Sequence, residues 1–302
     1  MAFTGTILLV AFAYIMGQWP LFIVAEQHIR RSGISGKEVS SFWSTMDFSM
    51  IGMSSNLAFG LQVIIFVVAM AGLYVGMKYF HRRSIVTIIT GGKSIRWSKI
   101  FWAFGIWMGL TILGECIFYL IDPGNYSLQF NTRDFMILLL LVVVFIPIQA
   151  SWEEMFVRGY LMQMFGLAFR SPWIALIITA CIFGSMHLMN PEVRAFGLWI
   201  MMFYYISVGL FFGLLVILDD GLELAMGIHI ATNVYASLFV SYEGSVLQTP
   251  AIFIMAKADV VAMTIVFFVS AGIFFALSYR KYGWGDWIRL TKPVVEEINC
   301  EV

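Results

Sequence analysis

The chain has 302 residues, 61% of them hydrophobic and 12% charged, with a mean hydropathy of +0.88. Soluble domains carry about 25% charged residues, so this composition belongs to a membrane protein. The formal net charge is zero, which argues against nucleic acid as a partner.

A spanning helix needs roughly 20 mostly apolar residues, and eight stretches qualify: 4–25, 57–77, 100–121, 135–152 with a helical extension, 172–189, 195–218, 223–241 and 260–279. Residues 1–25 carry no charge, so the basic start of a signal peptide is missing and the stretch reads as the first span. The expected fold is all-α, a polytopic transmembrane helical bundle of about eight spanning helices, forming a single membrane domain over 1–302. Cys116, Cys181 and Cys300 are scattered and suggest no disulfide framework. A prenylation box needs cysteine fourth from the end, and Cys300 is third.

Ten of the eighteen Lys and Arg fall in two places. Segment 78–99 holds Lys78, Arg82, Arg83, Lys93, Arg96 and Lys99. The tail holds Arg280, Lys281, Arg289 and Lys292. An even number of spans puts both on one side, and the positive-inside bias makes that side the cytoplasm, with both termini there. The expected location is the cell membrane, multi-pass, with the lipid bilayer as surroundings.

Ionisable groups inside a bilayer are costly, about 2.5–3.5 kcal/mol for a central Asp, Lys or Arg on translocon scales, and so mark function by default. Six residues pass that filter: Glu115, Glu153, Glu154, Arg158, His187 and His229, with Asn233 as a polar partner. In Ser151-Trp152-Glu153-Glu154-Met155-Phe156-Val157-Arg158, Glu154 and Arg158 are four apart and share a helix face, acid first. Glu153 lies about 100° around the helix, leaving it free to act as a base. Phe183 and His187 are also four apart, as are His229 and Asn233. Each pair alone fits a packing role. Together, a carboxylate and two histidines on three spans can supply a base, an acid and oxyanion donors for adding water to an amide.

Depth supports only part of this grouping. A turn near Arg170 puts Glu153 and His187 each 17 residues away, about 25 Å. His229 is nine residues past Asp220, roughly 13 Å from its own turn. Matching these depths requires a tilted helix, a turn that dips, or a protruding hairpin between spans four and five.

In these residues the chain resembles the CPBP family, the CAAX proteases and bacteriocin-processing enzymes also called Abi proteins. The motifs EExxxR, FxxxH and HxxxN stand here as Glu153-Glu154-x-x-x-Arg158, Phe183-x-x-x-His187 and His229-x-x-x-Asn233, and Arg158-Gly159-Tyr160-Leu161 is also typical. The resemblance covers about residues 135–240, the expected catalytic core. It implies a glutamate intramembrane peptidase without metal or other cofactor, acting on a peptide or membrane-protein substrate. By that resemblance Glu153 with His187 activates water, His229 with Asn233 forms the oxyanion hole, and Glu154, Arg158 and Phe183 are structural. Glu115 lies outside the motifs. It either snorkels to the interface or lines the substrate entrance. Three rivals stay open: a zinc protease, though no HExxH occurs; a proton-coupled transporter, though no repeated halves are evident; and a non-catalytic immunity or scaffold protein of the same fold.

Overall fold

The computed structural model describes residues 1–242, 244–285 and 287–294; Cys300 lies outside them. In lipid every backbone polar group needs an internal partner, and a helix supplies one for each residue. The chain accordingly forms α1 (Ala2–Ser32), α2 (Lys37–Thr45), α3 (Ser55–Val75), α4 (Trp97–Ile121), α5 (Thr132–Glu154), α6 (Met162–Phe169), α7 (Pro172–Met186), α8 (Pro191–Phe196), α9 (Leu198–Asp219), α10 (Glu223–Leu238) and α11 (Val260–Tyr282). Large apolar side chains such as Phe101, Leu120, Leu140 and Trp199 point outward, as a lipid-facing surface requires.

Among the described residues six helical stretches are long and apolar enough to cross a membrane: Ala2–Ser32, Ser55–His81, Trp97–Ile121, Thr132–Phe169, Leu198–Asp219 and Val260–Tyr282. This makes the chain a multi-pass membrane protein. The expected spans 172–189 and 223–241 form helices but are short. α7 has 15 residues and α10 has 16, about 22–24 Å against a hydrocarbon core of roughly 30 Å. α10 does not need to face lipid, because Leu224, Ala225, Ile228 and Ala231 are fully buried among other helices. The expected span 195–218 also splits, with α8 and Gly197 preceding α9.

One small sheet interrupts the helices. β1 (Tyr126–Leu128), β2 (Val240–Tyr242) and β3 (Phe253–Met255) assemble in the order β1-β3-β2. These three-residue strands lie in loops, where sequence period says little.

The helical run from α5 through α6 ends at Arg170, which adopts the left-handed conformation with φ 51°. Between α5 and α6, Met155–Leu161 is π-helical, a local widening often found at functional sites. The depth mismatch is resolved at Gly159. A Cβ there would stand 2.5 Å from the carbonyl oxygen of Ile88 and 3.1 Å from Leu222 Cδ1. Segment 85–91 therefore lies directly against Gly159, and the turn before α10 is pinned to it by Gly91 N–H donating to Asp220 O and Leu222 N–H to Ile89 O. Glu153 precedes Gly159 by six residues and His229 follows Leu222 by seven, about 9 and 10 Å respectively. The α6–α7 hairpin protrudes past this level, and the two groups sit at one depth.

The basic segment and the tail share an end of the bundle: Gly91 bonds to Asp220, and Arg289 lies 3.9 Å from the same aspartate. Phe3 packs there on His81 and Tyr160. α2 lies at the other end, where Arg194 donates to Ser44 O.

Candidate active site

α5, the π-helical segment Met155–Leu161 that continues it, and α10 carry the polar groups and present them to the interior. Gln149, Glu153, Glu154, Arg158 and His229 are all at most 8% exposed. Gly227 lets α10 approach α4 closely, since a Cβ there would collide with Ile100 O. That approach sets the position of His229, two residues on.

Glu154 is the hub. Its Oε1 accepts from Arg158 Nη1 at 2.9 Å and from His229 Nδ1 at 2.8 Å. Arg158 is fully enclosed, and its guanidinium lies 4.0 Å from the Phe183 ring centre and 5.5 Å from that of Phe212. The aromatic faces compensate electrostatically for a cation out of water. Phe183 also meets the rings of His187 at 4.6 Å and His229 at 6.2 Å, so one side chain spaces the arginine and both histidines.

Glu153 is held differently. Its Oε1 accepts from Gln149 Nε2 at 2.5 Å, and Gln149 Oε1 accepts from Asn233 Nδ2 at 2.8 Å. Its Oε2 has no hydrogen-bond partner among the described residues and lies 3.7 Å from His229 Nε2. Glu154 Oε2 likewise has no hydrogen-bond partner among the described residues; the two acids differ in that Glu154 Oε1 is tied to Arg158 and His229, whereas the open Glu153 Oε2 lies near His229 Nε2. Among the described residues no hydrogen bond joins Glu153 to His187.

His187 caps the end of α7. Its Nδ1 donates to Phe183 O at 2.7 Å, which leaves Nε2 as an acceptor in the neutral ring. Its ring stacks on Tyr205 with centres 4.2 Å apart. His229 donates from Nδ1 to Glu154, so its Nε2 accepts when the ring is neutral and donates when it is doubly protonated.

His187, His229 and Asn233 line a cavity of about 240 Å³ whose walls also include Trp107, Phe183, Tyr205 and Phe212. Glu153 is not part of that lining and connects to it through His229, 3.7 Å away, and through Gln149 to Asn233. Glu115 lines the same cavity further along, its Oε1 accepting from Tyr126 OH at 2.5 Å. The motif residues therefore gather from α5, α7 and α10. Gln149 and Tyr205 were not singled out by the sequence. Gln149 carried a usable signal, a polar residue in an apolar run four before Glu153. Tyr205 carried none, being one aromatic among many. Among the described residues no three His, Cys, Asp or Glu side chains come together as a set able to hold a metal.

Outside the spans, Glu192 on α8 is 4% exposed, and its Oε1 accepts from Val246 N–H at 2.7 Å. Burial pushes its carboxyl above the usual range, with the backbone hydrogen bond opposing.

Residues 132–235 match the model of the family described as type II CAAX prenyl endopeptidase Rce1-like. The chain is 30% identical over 230 residues to the uncharacterized protein YyaK of Bacillus subtilis (strain 168), covering 73% of this chain and 75% of that one. No solved structure matches.

Proposed function

The chain belongs to the CPBP family of Rce1-like, CAAX-protease-type membrane proteins, and on that premise we propose that it is a glutamate intramembrane peptidase cleaving a membrane-associated peptide or protein segment. The observation that supports this reading is that His187, His229 and Asn233 line one cavity, while Glu153 Oε2 lies 3.7 Å from His229 Nε2 and Glu153 Oε1 is linked to Asn233 through Gln149.

Water passing from the cavity beside His229 to the buried Glu153 Oε2 would find it as base, with His187 Nε2 as a second acceptor at the cavity. The water oxygen bonds to the peptide carbonyl carbon as its proton passes to Glu153. The negative charge that builds on the carbonyl oxygen is met by the second N–H of Asn233 and by His229 Nε2–H of the protonated ring. The C–N bond then breaks as Glu153 returns the proton to the departing amine. No metal enters this scheme. Arg158 and Glu154 hold His229 in place, and the aromatic walls suit apolar substrate side chains.

The test is comparative peptidomics of membranes from cells carrying wild type or Glu153→Ala, followed by cleavage of a recovered substrate by purified protein with and without a chelator. Products absent from the variant and unaffected by chelator support the reading. Identical product sets in both strains overturn it, and loss of activity with chelator overturns its metal-free form.

A further inference from the structure

The cavity runs beyond the candidate catalytic groups to Glu115. Among the described residues its lining holds one carboxylate, Glu115, and neither Lys nor Arg. Among the described residues no cation lies within ion-pair distance of Glu115. A snorkelling acid would direct its carboxylate out to water. Here the carboxylate lies in the cavity wall, fixed by the Tyr126 hydroxyl, and Tyr126 is itself held in place because β1 pairs with β3. Tyr235 lines the cavity beside the same carboxylate. A preset carboxylate flanked by phenol rings in a cavity with largely apolar walls is a receptor for an ammonium or guanidinium group, which gains both charge-assisted hydrogen bonds and ring-face contacts.

We infer that Glu115 is a subsite for a substrate cation, the side chain of Lys or Arg. Its spacing follows from α4. The Trp107 indole donates to Thr232, the neighbour of Asn233. From 107 to 115 is eight residues, about 12 Å along the helix. An extended peptide covers that distance in about four residues. The basic residue is therefore placed about four positions from the cleaved bond. This spacing rests on the peptidase reading, whereas the cation preference of the cavity can be measured without turnover.

The probes are fluorescein-labelled twelve-residue Leu/Ala peptides carrying one Lys, norleucine or Glu at successive positions. Binding is read by anisotropy on the full chain in detergent carrying Glu153→Gln, with and without Glu115→Gln. Lys peptides should bind about tenfold more tightly than norleucine peptides, and Glu115→Gln should erase that ratio. Tyr126→Phe should reduce it, with thermal stability measured on each variant to exclude misfolding. Equal binding of Lys and norleucine peptides, or a Lys preference that survives Glu115→Gln, overturns the subsite. Cleavage of the same peptides by protein with Glu153 intact separates the two claims. Cleavage without charge preference sinks the subsite and keeps the peptidase. A Glu115-dependent Lys preference without any cleavage keeps the subsite and sinks the peptidase.

Discussion

Asn233 on α10 donates to Gln149 on α5 at 2.8 Å, and Gln149 in turn donates to Glu153, so an amide on one helix positions a carboxylate on another. Members of one chain of hydrogen bonds act non-additively. Gln149→Ala should lower the single-turnover cleavage rate by about 10–100-fold, and Asn233→Ala by about 10²–10³ where its second N–H also meets the oxyanion. The double variant should fall short of the product of the two losses. Strict additivity in the four-way cycle would mean that Asn233 does not act through Gln149.

The two adjacent acids should fail differently. Glu153→Gln should cost about 10²–10⁴ in rate, the range of a lost general base, with little change in melting temperature. Glu154→Gln leaves the buried Arg158 without its carboxylate, a loss of about 3–5 kcal/mol when a buried pair is broken from one side. Melting curves in detergent beside cleavage rates check both. Equal stability of the two variants would contradict the hub role of Glu154.

Gly159→Ala tests the depth match. Its Cβ would collide with Ile88 O, and backbone has little room to retreat. The expected cost is about 1–3 kcal/mol, together with lost cleavage as the turn before α10 moves. Wild-type stability and rate would show that segment 85–91 does not set the depth of His229.

Glu192 gives a pH signature. Its folded carboxyl is raised by burial, so its contribution to stability is present at low pH and lost as pH rises through the folded value. Glu192→Gln keeps an acceptor for Val246 N–H and removes the buried charge. The variant should therefore gain stability over wild type as pH rises toward neutral, and the gain should vanish in acid. A pH-independent difference in melting temperature would refute the assignment.

Orientation is tested by cysteine labelling in a background without Cys116, Cys181 and Cys300. Ser84→Cys and Thr291→Cys, at the basic end, should resist an impermeant maleimide in intact cells, and Ser41→Cys should react. Reaction at Ser84→Cys or Thr291→Cys would reverse the expected cytoplasmic placement of the termini.

The amino-acid sequence by itself determined the membrane class, most helices and the motif residues that come together. These follow from composition, from apolar run length and from the cost of charge in lipid, all of which are local. The i, i+4 link of Glu154 to Arg158 and the turn at Arg170 were equally legible, because helix geometry relates nearby residues directly. Only the tertiary structure decided that His229 bonds Glu154, that Gln149 links Asn233 to Glu153, and that α7 and α10 stay short. Each depends on how helices far apart in sequence pack. The depth of His229 in particular is set by segment 85–91 against Gly159, a contact between loop and helix that leaves no period in the sequence.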